Sequence, residues 1–209
     1  MTKAKTKTEP RRSPAPGERQ RDAERSRRRI LDAALAVFGA KGYAGARVAE
    51  IAERAGVNHQ LISYYFGGKE GLYDELLAEW HRREAAMGAG DLAFDDLVVA
   101  YLAAGHEQPD MARLLVWDGL TSTRPAPAEP DEPPEPPEIT DIRRRQAAGE
   151  IDDDLDPGFL LLSLMAAVAA GATMPDMVRR LTGLDPASPE FLDRYGDHLR
   201  RLVHRLRAT

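Results

Sequence analysis

The sequence has no cysteine and no long uninterrupted apolar run among its 209 residues. Without cysteine, disulfide bonds, thiolate metal sites and a cysteine nucleophile are excluded. The longest apolar run, residues 159–174, is broken by Ser163, Gly171 and Thr173, and it is shorter than the ~20 residues that a membrane-spanning helix needs. The amino terminus is basic and lacks the apolar stretch of a secretory signal. We therefore expect a soluble, cytoplasmic protein without a membrane partner.

The side chains that usually build catalytic and metal sites are also sparse. No two of the five histidines have the i, i+3 or i, i+4 spacing of a helical metal site (His59, His81, His106, His198 and His204). Neither a Ser-His-Asp signature nor a carboxylate pair in an apolar setting is present. The run Asp152–Asp154 offers a cation site in principle, but a solvated turn before Pro157 is favoured. The sequence predicts no metal, no cofactor and no enzymatic activity.

Charge is distributed very unevenly along the chain. The net charge is −5, yet residues 1–29 carry eleven Lys or Arg against four acids, a local charge of +7. The remainder therefore carries −12. A basic segment on an acidic body is typical of a nucleic-acid-binding arm, and equally of a solvated tail. We expect Arg25 to Arg29 to add phosphate or minor-groove contacts if the protein binds DNA.

Apolar periodicity predicts an all-α protein with no convincing alternating strand. The first helix is predicted from Arg25 and is closed by Gly39 and Gly42. Further helices are predicted at about 47–55, 58–66, from 69, 92–106, 110–122, 138–148, 157–173 and 188–207. We expect a disordered basic tail over 1–24, a small helical unit over 25–70 and a larger one over 71–209. Residues 124–138 (RPAPAEPDEPPEPPE) predict an extended acidic loop, with a proline-motif ligand as the less favoured alternative.

Residues 51–72 (IAERAGVNHQLISYYFGGKEGL) have the order of a helix-turn-helix unit. Gly56 supplies the turn, because a residue without Cβ tolerates left-handed backbone angles. Asn58 is a suitable N-cap for the next helix. On that helix Ile62 and Phe66 are predicted to face inward.

The opposite face of this helix carries groups that can bind DNA, with His59 and Ser63, and Gln60 and Tyr64, paired at i, i+4 spacing. The Gln60 amide can pair with adenine, and Leu61 can contact a thymine methyl. Tyr65 can bond a phosphate, and Lys69 opens the next helix, where its charge and free backbone N–H groups favour an anion. The alternative is an ordinary surface helix with a solvated polar face.

Taken together, ILDAALAVFGAKGY, VAEIAERAGV and ISYYFGGKEGLY resemble the DNA-binding domain of the TetR family of bacterial transcriptional regulators. The resemblance spans about 50 residues. Weaker similarity follows in family order, in RRRQAAGEIDDDLDP and FLDRYGDHLRRLVHRL. The resemblance to this family implies a fold of about nine helices, with a helix-turn-helix unit followed by a helical effector-binding and dimerisation domain. The function implied is a dimeric, ligand-responsive repressor of a palindromic operator.

By position, the resemblance assigns base reading to His59, Gln60, Leu61, Ser63 and Tyr64, and phosphate contacts to Tyr65 and Lys69. Asn58 and Arg47 complete the predicted DNA-binding set. Two residues depart from the family pattern: Ser63 stands where tyrosine is most frequent, and Arg47 stands where a threonine often caps the second helix. Arg47 cannot cap in that way but can reach a phosphate by charge.

For the carboxy-terminal unit the resemblance implies a small-molecule effector pocket and a homodimer interface. The residues predicted for the pocket are His106, Met111, Leu115, Trp117 and Met174. Those predicted for the interface are Leu161, Leu164, Met165, Val168, Leu199 and Leu202. Ordinary core packing remains the alternative for each of them. A different reading of the whole chain is a helical small-molecule-binding or interaction protein whose helix-turn-helix unit no longer reads DNA.

Overall fold

The computed structural model describes residues 16–88, 92–121 and 135–207, and every regular element in these ranges is an α-helix. The helices are α1 (Pro16–Gly45), α2 (Val48–Ala55), α3 (Gln60–Phe66), α4 (Lys69–Gly88), α5 (Phe94–Glu107), α6 (Pro109–Thr121), α7 (Pro137–Ala147), α8 (Pro157–Thr173), α9 (Pro175–Thr182) and α10 (Pro189–His204). The all-α prediction is therefore confirmed. Helix α9 is additional to those predicted, although Pro175 at its start and left-handed Gly183 at its end are ordinary boundary signals.

Helix α1 is longer than the sequence predicts at both ends. Residues 16–24, predicted to be disordered, are helical, and the remaining predicted tail over 1–15 lies outside the described residues. Side-chain pairs support this polar turn: Gln20 donates to Glu24 at 3.4 Å, and Arg25 lies 3.6 Å from Asp22. The helix also continues through Gly39 instead of closing there. It kinks at Gly42, whose φ of 68° is left-handed.

Helices α1 to α4 pack around one core, to which α5 and α6 contribute Ala104, Met111 and Leu114. Buried side chains from the first four helices include Ile30, Ala34, Phe38, Ile51, Ile62, Leu72 and Leu76. The boundary predicted after residue 70 therefore falls within a shared core. At Gly56, which ends α2 with a φ of 61°, an added Cβ would lie only 2.5 Å from Arg29 Nη2.

Helix α6 joins the two parts of the molecule. An added Cβ at Gly39 of α1 would lie 2.6 Å from the backbone oxygen of Asp110, so the two helices are in very close contact. Farther along α6, the Tyr73 hydroxyl of α4 donates to Asp118 Oδ1 at 2.8 Å. Arg113 Nε also donates to the backbone oxygen of Ala172 at the end of α8 (3.2 Å). One helix thus contacts both α1 and α8.

The second core lies among α5, α7, α8 and α10, with Phe94, Leu102, Ile142, Leu160, Leu164, Leu199 and Val203 buried in it. Arg145 is buried beside this core, where it bonds Asp141 at 2.7 Å and Glu150 at 2.9 Å. No single described helix is long and apolar enough to cross a membrane. Together α8 and α9 have that length and composition, but they meet at an angle of 92°.

Candidate nucleic-acid interface

The seven residues of α3 divide into two faces, as their spacing predicts. Ile62 and Phe66 are buried in the first core. Gln60, Ser63 and Tyr64 are exposed on the other side, with 78 % of Tyr64 open to solvent. A large aromatic side chain this exposed contributes little to the stability of the fold, because most of its apolar surface remains in water. The geometry leaves its ring and hydroxyl free to contact a partner.

The start of α3 differs slightly from the predicted N-cap. Asn58 Oδ1 accepts the backbone N–H of Gln60 at 2.9 Å, which is the bond that a cap provides. The regular helix nevertheless begins at Gln60, and His59 between them is exposed, with α-type backbone angles and no side-chain cap bond. Asn58 therefore stabilises the end of α3 that carries the exposed polar groups. Its oxygen is used in doing so, whereas His59 and Gln60 remain at the surface.

Leu61 and Tyr65 lie on the seams between the two faces. Both are half-buried and pack against the first core. The Tyr65 ring lies edge-on to Tyr64, with the ring centroids 5.1 Å apart. The guanidinium of Arg27 lies over the Phe66 ring at 4.9 Å and closes the inner side of the helix. Only part of Leu61 and Tyr65 therefore remains available for DNA.

Lys69 is the first residue of α4, as predicted. Its ammonium lies over the Tyr43 ring, 4.4 Å from the centroid, and burial lowers the pKa of Lys69. A cation–π contact holds the amine against Tyr43 of α1, while the backbone of Lys69 belongs to the helix start with its free N–H groups. The side chain is thus held in place before any anion arrives.

Arg47 directly precedes α2 in an extended conformation, and its side chain forms no cap bond. Glu50, three residues later, does not compensate, because its carboxylate bonds Lys41 Nζ at 2.7 and 2.8 Å. The amino-terminal end of α2 therefore presents its partial positive charge beside an exposed arginine. This arrangement favours a phosphate contact by charge, and the contact of Arg47 with DNA stays a prediction.

The basic segment of α1 is less free than the sequence suggests. Arg27 pairs with Glu75 at 3.1 Å, and Arg28 pairs with Glu79 at 2.7 Å, so both bind α4. Arg29 Nη2 donates to the backbone oxygen of Gly56 at 3.4 Å. These three arginines hold α1 against α4 and against the turn at Gly56. Part of the basic run is therefore bonded within the protein.

The five residues predicted for an effector pocket differ in burial and position, and the pocket itself stays a prediction. Met111 is buried and lines a cleft of about 270 Å³ between α1, α4 and α6. Leu115, Trp117 and Met174 are exposed, and Trp117 lies against the kink of α1 at Gly42. His106 is half-buried near the end of α5. Helical spacing identifies apolar positions, but it cannot distinguish a cavity wall from a core.

The residues predicted for a dimer interface are likewise divided. Leu164 and Leu199 are buried in the second core and cannot lie on an outer face, whereas Met165 and Leu202 are exposed and Leu161 and Val168 are half-buried. The sequence prediction missed two more exposed apolar side chains on α8, Phe159 (74 %) and Leu162 (64 %). Because α8 is apolar on every side, periodicity does not reveal which face is outward.

The acidic turn Asp152–Asp154 brings three carboxylate oxygens within 4.8 Å of one another. Asp152 Oδ1 accepts the backbone N–H of Asp154 at 3.1 Å, which is a local turn bond. Asp153 and Asp154 are exposed. These features agree with the solvated turn that the sequence favours.

Comparison with known proteins finds family matches for both ends of the described chain. Residues 30–76 match the family described as "Bacterial regulatory proteins, tetR family". Residues 93–205 match "Tetracyclin repressor-like, C-terminal domain". Both matched families are named for the same type of repressor, and together they cover most of the described residues.

Individual relatives extend over most of the chain. The HTH-type transcriptional repressor SCO4008 of Streptomyces coelicolor is 34 % identical over 194 residues, 88 % of this chain and 98 % of that protein. The HTH-type transcriptional regulator RutR of Escherichia coli K12 is 26 % identical over 90 % of this chain and 92 % of its own length. The solved structure of SCO4942 from Streptomyces coelicolor has the same fold (TM-score 0.66, 22 % identity, 85 % of this chain and 97 % of that one).

Proposed function

Since the chain belongs to the TetR family of bacterial transcriptional regulators, we propose that it binds a palindromic operator as a homodimer and is released by a small-molecule effector. It is a DNA-binding, ligand-responsive regulator, not an enzyme, because its relatives are named transcriptional repressors and regulators. For the same reason a helical protein that no longer reads DNA is not favoured. The observation that carries the proposal is the outer face of α3, where Tyr64 is 78 % exposed beside Gln60 and Ser63.

In this proposal α3 enters the major groove and the neighbouring positive groups bind the backbone. His59, Gln60, Ser63 and Tyr64 reach base edges, with Gln60 suited to adenine. Leu61 offers its exposed part to a thymine methyl. Phosphates are bound by Lys69, by Arg47 at the start of α2, and by the Tyr65 hydroxyl. Asn58 contributes by fixing the amino-terminal end of α3.

The outer surface of α8 and α10 supports dimerisation. Phe159, Leu162 and Met165 are all more than half exposed on α8, and Leu202 of α10 is 44 % exposed. A second copy would bury this surface about a two-fold axis. Two copies of α3 would then be separated by about one turn of DNA, ~34 Å, which is the spacing of half-sites in a palindromic operator.

Helix α6 is the element suited to connect effector binding with DNA binding. Arg113 bonds both Ala172 at the end of α8 and, at 2.9 Å, Asp110 on its own helix. Asp110 in turn packs directly against Gly39 of α1. An effector that binds best when α6 is displaced would favour a spacing of the two α3 helices that does not fit the operator. By this population shift the effector would lower the affinity of the protein for operator DNA.

The test is a fluorescence-anisotropy titration of operator DNA over a range of salt concentrations. Lys69→Ala should weaken binding to every sequence alike and reduce the salt slope by about one unit, because one phosphate contact is lost. Gln60→Ala should instead relax the base preference at one position in each half-site. Arg205→Ala removes an exposed charge at the far end of α10 and is the matched control. If Lys69→Ala and Gln60→Ala both bound operator DNA like Arg205→Ala, the assigned contacts would be wrong.

A further inference from the structure

Lys69 is held by an aromatic ring and not by an acid. Its ammonium lies 4.4 Å from the centre of the Tyr43 ring, and among the described residues no carboxylate forms an ion pair with it. By contrast, Lys41 of α1 bonds both carboxylate oxygens of Glu50, at 2.7 and 2.8 Å. A carboxylate neutralises an ammonium and competes with a phosphate for it, whereas a ring holds the cation and leaves its charge uncompensated. The contact with Tyr43 therefore restrains Lys69 and still leaves it available to an anion.

The Tyr43 ring is itself fixed by two other rings. Phe38 of α1 stacks with it at a centroid distance of 6.0 Å, and Tyr73 of α4 meets it edge-on at 5.0 Å. Tyr73 also meets Phe38 edge-on, at 5.2 Å. Phe38 and Tyr73 are fully buried, whereas Tyr43 is half-buried. The three rings contact one another, so the ring that holds the lysine has little freedom to turn.

Helix α6 contacts this ring cluster and the backbone beside it. The Tyr73 hydroxyl donates to Asp118 Oδ1 at 2.8 Å. One residue earlier on α6, the Trp117 ring lies against Gly42, where an added Cβ would be 3.3 Å from it. Gly42 is the kink of α1, with a φ of 68°, and it directly precedes Tyr43. The position of the ring that holds the lysine is therefore set from α6 as well as from α1 and α4.

We propose that Tyr43 is a positioning residue for DNA binding: its ring holds the Lys69 amine ready for a phosphate, and Tyr73, bonded to Asp118 of α6, holds that ring. A lysine loses much rotamer freedom when it binds a phosphate, and a contact that already restrains the side chain reduces this loss. This role of Tyr43 rests on the proposed function, because it belongs to the same interface. It adds that a movement of α6 weakens the phosphate contact within each half-site, besides changing the spacing between half-sites.

A double-mutant cycle between Tyr43 and Lys69 tests the proposal. Fluorescence anisotropy measures binding of a DNA fragment selected with the parent protein and of an unrelated duplex of the same length. Tyr43→Leu should weaken binding of both duplexes alike, by about tenfold for a dimer with two such lysines, because phosphate contacts carry no sequence information. In protein that already carries Lys69→Ala, Tyr43→Leu should change the affinity by less than about twofold. An equal loss in both backgrounds would overturn the proposal, since Tyr43 would then act independently of Lys69.

Two further variants separate loss of the ring contact from loss of stability. Tyr43→Phe keeps an aromatic face under the amine, so it should bind both duplexes within about twofold of the parent. Tyr101→Leu removes a half-buried ring that packs against the second core, and it should leave DNA binding unchanged even where it lowers the melting temperature. If Tyr43→Phe bound as weakly as Tyr43→Leu, the hydroxyl and not the ring would matter, and the proposal would be wrong.

Nuclear magnetic resonance of the free protein tests the same contact without Tyr43→Leu, which could fail to fold. With isotope-labelled lysine, the ε-methylene protons of Lys69 should resonate upfield of those of other lysines, because the Tyr43 ring current shields protons above its face. The signal is identified by its loss in Lys69→Ala, and an ordinary chemical shift in the parent would overturn the proposal. Tyr73→Phe, which removes the bond to Asp118, should move the signal toward the ordinary shift and weaken DNA binding. An unchanged shift in Tyr73→Phe would refute the link to α6.

The two duplexes also distinguish this role of Tyr43 from the proposed function. If the parent bound both duplexes equally, sequence recognition by α3 would be refuted, while the cycle on the unrelated duplex would still decide whether Tyr43 acts through Lys69. If the parent preferred the selected fragment and the cycle were additive, the proposed function would stand and the role of Tyr43 would be refuted.

Discussion

The contact between α1 and α6 makes Gly39 a sensitive position. Alanine at residue 39 would place its Cβ 2.6 Å from the backbone oxygen of Asp110, about 0.8 Å closer than the 3.4 Å at which ordinary contact begins. Because the atoms that it meets belong largely to backbone, the two helices would have to separate. Overpacking of this kind costs about 2–3 kcal/mol. The better helix propensity of alanine returns about 1 kcal/mol.

Gly119→Ala on α6 is the matched control, since no atom lies within 4 Å of an added Cβ there. It should gain about 0.5–1 kcal/mol from helix propensity alone. For a chain of this length 1 kcal/mol corresponds to about 2–4 °C in melting temperature. We expect Gly39→Ala to melt roughly 2–8 °C below the parent and Gly119→Ala slightly above it, measured by circular dichroism at equal protein concentration. If both variants melted together, α6 would not press on α1 as described.

Three further substitutions have definite expected outcomes. Gly56→Ala should destabilise the helix-turn-helix unit, measured by thermal unfolding, because alanine is strained at the left-handed φ of 61° and because the guanidinium of Arg29 would have to move away from the added methyl group. Asp141→Asn should lower the melting temperature at neutral pH: burial alone would raise the pKa of Asp141, but hydrogen bonds from Arg145 and its neighbour lower it below the ordinary 3.8. The difference should therefore shrink as the pH falls below about 3.8, and a constant difference would contradict this cause. Phe159→Glu should shift the protein toward monomer in analytical ultracentrifugation, since a charge would enter the proposed interface.

The faces of α3 could be predicted from the sequence for a clear physical reason. Its inward residues, Ile62 and Phe66, are large and apolar, and its outward residues are polar, so a period of 3.6 residues separates them. The turn at Gly56 was equally predictable, because only glycine adopts its backbone angles without strain. The direct contacts of these residues with DNA remain predictions.

Other parts of the molecule could not be assigned from local pattern. On α8, neighbouring Leu164 and Met165 are both apolar, and only packing against α5 and α7 decides that the first is buried and the second exposed. The arginines of α1 look alike in sequence, yet Arg27 and Arg28 pair with acids about fifty residues later.

Hydroxyl-radical footprinting on a DNA fragment selected for binding, with the region upstream of the protein's own gene as the first choice, tests the central claim most directly. We predict two protected patches related by a two-fold axis and centred about one helical turn, ~34 Å, apart. Both should fade together as salt is raised, because the backbone contacts are electrostatic. Protection spread evenly along the fragment, or none at any salt concentration, would contradict operator recognition by paired α3 helices.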